Sequence, residues 1–221
     1  MVGRGVFITF EGGEGAGKTT LIHRLASTLR ERGHDLVLTR EPGGCPLAEE
    51  VRQLLLAHRS VSVNAIAEPL FFLAARAQNI QEIIAPALFR GSMVLCDRFN
   101  DSTIAYQGFG RELGATRVKN LCQLACPNPR PNLTFLLDIP PELGLQRAIR
   151  KGATDRIEAF DLAFHERVRQ GYLTLQQEEP HRIRMIDATL SPDEVYRKAL
   201  EAIDGCLESR GTLPPAPPPG E

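Results

Sequence analysis

The chain has 221 residues, 43% of them hydrophobic and 24% charged, and a formal net charge of −1 at pH 7. That length and balance predict a soluble globular chain with one sizeable core, and the charge gives no mark of a surface devoted to nucleic acid or membrane. No apolar run reaches the roughly 18 residues of a membrane span, and the apolar stretch behind Arg4 is too short for a secretory leader, so a cytoplasmic protein is expected.

In chain order, "GVFITFE" is a compact β-rich run. "GGEGAGKTT" follows at once and puts four glycines into six residues. "KTTLIHRLASTLRERG" then repeats Leu21, Leu25 and Leu29 at helical spacing and stops at Gly33. "DLVLTR" is a second strand and "PLAEEVRQLLLAH" a helix. Residues 63–90 form a long apolar helical pattern, with Pro69 near a start or break and Pro86 near its end. "SMVLCDR" is a third strand, and "ELGATRVKNLCQLAC" a helix stopped by "PNPRPN". "LTFLLDI" is a fourth strand, followed by the helices "PELGLQRAIRKG" and "AFDLAFHERVRQGYLTLQQEE" and by a weaker strand, "RIRMIDA". "SPDEVYRKALEAIDGCLES" begins with a capping box, Ser191 as N-cap and Glu194 reaching back, with Pro192 at the first helical position. Residues 211–221, "GTLPPAPPPGE", read as a disordered or polyproline tail, passive or read by a partner.

Strands alternating with helices of this length require parallel pairing and right-handed crossovers. The strands are continuous Val/Leu/Ile runs, as sheets covered on both faces demand. The fold class is therefore α/β, a five-stranded parallel sheet flanked by helices on both faces. Of the five cysteines, Cys122 and Cys126 are four apart on one helix and could bind metal or switch redox state. No spacing matches a metal site, and reduced, half-buried thiols are the plainer expectation.

The glycine-rich stretch has the spacing G-x-x-x-x-G-K-[ST], running Gly12, Gly13, Glu14, Gly15, Ala16, Gly17, Lys18, Thr19, with Thr20 after it. Such a loop between a strand and a helix turns successive backbone N–H groups toward phosphate oxygens, and the helix N-terminus adds partial positive charge. Lys18 is expected on the β- and γ-phosphates of ATP, and the Thr19 hydroxyl on its Mg²⁺. The loop leaves two classes open: a small-molecule phosphotransferase, or a switch or motor NTPase using Asp97 of "MVLCD" for its metal. No N-K-x-D-type guanine motif is present.

A phosphotransferase needs an acceptor pocket where the loops after the strands converge. "TREPGG", "FFLAAR" and "DRFNDSTIAYQG" supply polar groups there. Phe72 and Arg76 share a helix face and suit a nucleobase, stacking on its plane and donating to its edge, although spacing alone favours a core ring beside a solvated charge. Arg98 can fork across phosphate oxygens, with Asp97 orienting it or lying near the metal; a surface ion pair is the alternative. In "LQRAIRKGATDRIE" four positive charges, Arg147, Arg150, Lys151 and Arg156, outnumber Asp155 and Glu158. With Gly152 as hinge, the segment fits either a lid over phosphates or a solvated helix end.

In this order "FEGGEGAGKTT", "TREPGG", "LFFLAARAQ", "DRFNDSTIAYQG", "PNLTFLLD" and "RIRMIDA" resemble the thymidylate kinase family of P-loop nucleoside monophosphate kinases, over residues 7 to 187. The resemblance implies a P-loop NTPase fold in a single kinase domain, residues 1–210, with a short lid at about 147–158. It implies phosphorylation of dTMP to dTDP by ATP with Mg²⁺, no nucleic-acid or membrane partner, and a homodimer for which residues 63–90 are apolar enough. Residue by residue, it implies Phe72 stacked on thymine and Arg76 bonded to its edge. Arg98 would hold the acceptor phosphate, with Asp97 supporting it, and Thr103 and Gln107 would line the base pocket. Tyr106 would lie beneath the sugar, Pro42 near the thymine methyl, Arg40 near phosphate, and Glu14 by the sugar hydroxyl and metal. Some members carry a basic residue where this chain has Gly15, with a less basic lid. Gly15 and the basic lid here resemble the bacterial-type arrangement, in which a lid arginine, Arg147, Arg150 or Arg156, supplies the transition-state charge. The attacking phosphate oxygen is already anionic, so no general base is expected.

Overall fold

Five short runs of branched and aromatic residues become strands: β1 (Val6–Glu11), β2 (Leu36–Arg40), β3 (Met93–Asp97), β4 (Leu133–Asp138) and β5 (Ile183–Asp187). The structure, a computed structural model, describes residues 5–57, 63–150, 152, 156, 157 and 159–210. The Pro-rich stretch 211–221, and Lys151, Asp155 and Glu158 of the lid, lie outside the described residues. All strand pairs are parallel, in the order β2-β3-β1-β4-β5. The inner strands β1, β3 and β4 are almost wholly buried, whereas the edge strand β5 exposes Arg184 and Met185.

The helices are α1 (Lys18–Glu31), α2 (Pro46–Leu56), α3 (Ala67–Asn79), α4 (Ala85–Arg90), α5 (Asn100–Thr103), α6 (Ala115–Ala125), α7 (Pro141–Arg150), α8 (Leu162–Glu178) and α9 (Pro192–Arg210). Alternation along the strands divides the core, because successive side chains point to opposite faces. Val6, Ile8 and Phe10 of β1 pack with Leu21, Leu25 and Leu29 of α1 and with Ala199, Ile203 and Leu207 of α9. On the opposite face Leu136 and Ile183 meet Val168, Tyr172 and Leu175 of α8 and Val118 of α6. The capping box forms as the sequence predicts: Ser191 N–H donates to Glu194 Oε2 at 3.1 Å and Glu194 N–H to Ser191 Oγ at 3.3 Å.

Two segments depart from simple helix. Residues 63–90 are not one helix: between α3 and α4 the chain widens into a π-helical turn, Ile80–Ile84. Pro86 directly follows, and its missing N–H cannot continue the α-helical ladder. The stretch after β3, expected as a loop, is helical throughout, α5 running into a second π-helical segment, Ile104–Gly110. It packs against α8 and α6 and carries Tyr106 and Gln107.

The glycine-rich loop joins β1 to α1, and α7 lies against it backbone to backbone. Gly15 has φ +65°, and a Cβ there would lie 2.0 Å from the Gly144 carbonyl oxygen; a Cβ on Gly144 would lie 2.3 Å from the Glu14 carbonyl oxygen. Neither position has space for a methyl group. Gly144→Ala is therefore expected to push the loop out of register with phosphate. A fall of roughly 10–100-fold in kcat/KM for ATP should accompany it, since misplacements near 1 Å have costs of that order. Steady-state kinetics with ATP varied, beside a thermal melt, checks this.

Candidate active site

Among the described residues, three of the clefts at the carboxyl ends of the strands adjoin one another. The first follows the glycine-rich loop: about 280 Å³, lined by the backbone and side chains of Gly15, Ala16, Gly17, Lys18, Thr19 and Thr20, with Glu14, Asp97 and Arg98 on its rim. Lys18 is buried, its Nζ donating to the carbonyls of Gly12 (3.0 Å) and Gly13 (2.8 Å). Burial, reinforced by the neighbouring Arg98 charge, brings the Lys18 ammonium down to about 8, although Glu14, Asp97 and Glu11 partly offset this. The Thr19 hydroxyl donates to Asp97 Oδ2 at 2.9 Å, which brings two oxygens together at the loop mouth.

The second is a cavity of about 160 Å³ between α3, the loop after β2 and the Ile104–Gly110 segment. Phe72 and Arg76 from α3 and Pro42 from the loop line it, together with Thr103, Tyr106 and Gln107. Glu14 and Arg98 close it on the loop side. Arg76 is wholly buried: its Nε pairs with Glu41, its Nη1 donates to Asn100 Oδ1 (2.8 Å), and its Nη2 to the Phe99 carbonyl (3.0 Å) and Thr103 Oγ1 (2.9 Å). A guanidinium has five N–H bonds; these contacts use four, and the Cys122 thiol also lies against the guanidinium of this cavity-lining residue. The third cleft, about 460 Å³, lies behind Thr19 and Asp97 and is lined by Arg40, Glu41, Arg52 and Arg98.

Arg98 lines all three clefts. Its Nη2 donates to Glu14 Oε1 at 2.8 Å and its Nη1 to the Gly12 carbonyl at 3.0 Å. Its guanidinium carbon lies 5.0 Å from the centre of the Tyr106 ring. The backbone of Arg98 is left-handed, φ +71°, a conformation that side chains other than glycine seldom adopt. Buried Glu11 holds the turn: it accepts from Phe99 N–H at 2.7 Å and from the Ser102 hydroxyl. Burial, with the Asp101 charge, raises Glu11 to about 8 against the pull of Ser102 and Arg98. Glu14 moves the other way. Burial would raise it, but Arg98, Lys18 and the Tyr106 hydroxyl (2.6 Å) outweigh that and hold it down to about 2.

The lid arginines are not gathered at the loop. Arg147 donates to the Ala188 carbonyl at 2.9 Å, and Arg150 is exposed at the end of α7. Arg156 turns away from the loop, donating to the Leu55 carbonyl (2.9 Å) and to Glu68 Oε2 (2.8 Å). Arg40 pairs with Glu49 at 3.0 Å, outside the 160 Å³ cavity. Sequence reasoning missed Glu11, Glu41, Arg52, Glu68 and Tyr172. Only Glu68 had a local signal, one helical turn before Phe72 on the same face.

A phosphate-binding loop at a helix start, joined through one half-buried arginine to an enclosed cavity with an aromatic wall and hydrogen-bonding groups, defines a P-loop nucleotide phosphotransferase. The family model described as thymidylate kinase matches residues 10–199. The chain belongs to the thymidylate kinase family, the enzymes that phosphorylate dTMP with ATP. It is 53% identical over 209 residues to a thymidylate kinase of Protochlamydia amoebophila, covering 91% of this chain and 93% of that one. It is 50% identical over 213 residues to one of Syntrophotalea carbinolica, covering 94% and 99%. The crystal structure of thymidylate kinase from Ehrlichia chaffeensis superposes with a TM-score of 0.73 at 35% identity, covering 90% of this chain and 98% of that one.

Proposed function

We propose that ATP lies along the glycine-rich loop, that dTMP fills the 160 Å³ cavity, and that Arg98 is the cation at which their phosphates meet. The observation that carries this reading is that Arg98 and Glu14 line both the loop cleft and the cavity. The reaction's difficulty is bringing two polyanions into line. The chain answers with charge and position: backbone amides of residues 13–18 and Lys18 on the donor phosphates, Arg98 on the acceptor, and the lid cation Arg150 at closure, while Arg156 stays paired with Glu68. Glu14 and Tyr106, bonded to each other, would seat the sugar. Pro42, Phe72, Arg76, Thr103 and Gln107 would enclose the base, and Arg40 would add positive charge near the acceptor phosphate.

Mg²⁺ fits Thr19 and Asp97: both offer hard oxygens, and among the described residues no cluster of three or more His, Cys, Asp or Glu side chains forms a dedicated metal cage. Magnesium in phosphoryl-transfer sites is held in this way, by one or two protein oxygens together with the nucleotide phosphates. When bound, it would neutralise charge between the β- and γ-phosphates. A homodimer is supported by Leu47 and Leu54 of α2 and Leu70 and Phe71 of α3, large apolar side chains left exposed on two helices that pack together. Five free thiols suit the reducing cytoplasm. No described helix is long and apolar enough to cross a membrane. The described sheet and its helices accord with one kinase domain over residues 1–210.

Phe72→Ala tests the pocket. Loss of a stacking ring has a cost of about 1–3 kcal/mol per base, so KM for dTMP should rise roughly 5–100-fold while KM for ATP holds. An unchanged dTMP KM would remove the base from this cavity.

A further inference from the structure

Gln107 lines the cavity, and a primary amide is ambiguous there: one end donates, the other accepts, and rotating the amide by half a turn exchanges them. What fixes it is Glu68, a wholly buried carboxylate on α3. Gln107 Nε2 donates to Glu68 Oε1 at 3.0 Å. The other carboxylate oxygen, Oε2, accepts from Arg156 at 2.8 Å and from Arg111 at 3.3 Å. A carboxylate flanked by two guanidinium groups has only acceptors to present, so the Gln107 NH₂ must turn toward it. The carbonyl oxygen is then the end left for the cavity. The Arg76 guanidinium belongs to the same lining.

We propose that Glu68 is a specificity-determining residue: by holding the Gln107 amide in one orientation it makes the cavity read pyrimidines that carry an N3–H and a C4 carbonyl, and reject those with a bare N3 and a C4 amino group. This rests on the reading that the cavity binds the base of dTMP. Thymine offers a donor at N3 and an acceptor at C4, matching an amide oxygen and an arginine. 5-Methylcytosine has the same shape and methyl group but reverses both. A site built to hydrogen-bond one pattern leaves its buried polar groups unpaired by the other, and such mismatches carry large discrimination.

The test compares kcat/KM for dTMP and 5-methyl-dCMP in the wild-type enzyme, Glu68→Gln and Glu68→Asp, with thermal melts alongside. Glutamine at 68 can donate as well as accept, so Gln107 is released to flip. The preference for dTMP should fall about tenfold or more in Glu68→Gln, the scale of one good hydrogen bond. Aspartate only accepts, so Glu68→Asp should keep the preference even where its overall rate drops. A purely structural Glu68 would lower both substrates equally in both variants, and that uniform loss overturns the proposal. Should Glu68→Gln fail to fold, Glu68→Asp and Arg111→Lys, which keep an acceptor-only carboxylate, must both retain the wild-type preference; a loss in either overturns it too. If the wild-type enzyme itself takes 5-methyl-dCMP as readily as dTMP, the base-pocket reading fails. If it discriminates and Glu68→Gln discriminates equally, only the role of Glu68 fails.

Discussion

Arg98→Ala should lower kcat by about 10³-fold or more, the range set by arginines that neutralise a transferring phosphoryl group. The expectation follows from position: of the side chains in the site, this guanidinium borders the loop cleft, the 160 Å³ cavity and the cleft behind Asp97 at once. Removing it leaves Glu14 without its guanidinium partner at 2.8 Å, so a half-buried carboxylate held by Lys18 and Tyr106 would then face incoming phosphates. The loss should fall on both substrates, with kcat/KM declining for ATP and dTMP together. The left-handed backbone at residue 98 is no easier for alanine, so the melt should move little beyond the lost ion pair. Near-normal kcat with an intact fold would remove Arg98 from the reaction.

Lys18→Ala should have a comparable effect, about 10²–10³-fold in kcat with weaker ATP binding, on the scale of losing one preorganised donor at the developing charge. Stability should hold. Burial depresses the Lys18 ammonium from 10.5 to about 8, so the folded protein carries the cost of that charge at neutral pH, and the cost is relieved only as pH rises from 8 toward 10.5. The same depression gives a pH signature. Phosphate favours charged Lys18, so ATP affinity should weaken as pH rises through about 8, with proton uptake on binding above that pH. Calorimetry of ATP binding in two buffers of different ionisation enthalpy measures it, and Lys18→Ala should abolish the uptake. Uptake that persists in the variant would assign it to another group.

The inner strands were legible because parallel strands covered on both faces have no choice but to be apolar runs, and they stood out between glycine, proline and charge; the edge strand β5, with Arg184 and Met185 exposed, signalled more weakly. The phosphate loop was legible because its function constrains the backbone, and spacing records backbone constraints. The two π-helical segments were not, since a hydrogen bond to the fifth residue back leaves no distinct periodicity; Pro86 was the one hint. Residues 99–110 resembled a loop because Asn100, Asp101 and Ser102 are turn formers in isolation. In the fold Asp101 is bound through both oxygens by Arg182, 81 residues away, at 2.7 and 2.8 Å. Glu11 and Glu68 were missed for the same reason. A carboxylate near a strand end or in a helix reads as a solvated charge until the distant arginines, hydroxyls and amides that surround it are brought in by the fold.

The shared wall between the loop cleft and the aromatic cavity bears on inhibition. A small molecule that fills the aromatic cavity and extends a cationic arm to Glu14, or an anionic one to Arg98, would obstruct donor and acceptor together. On the proposed reading, resistance by substitution at those two contacts would be self-defeating, because Arg98 joins the two phosphates and Glu14 seats the sugar.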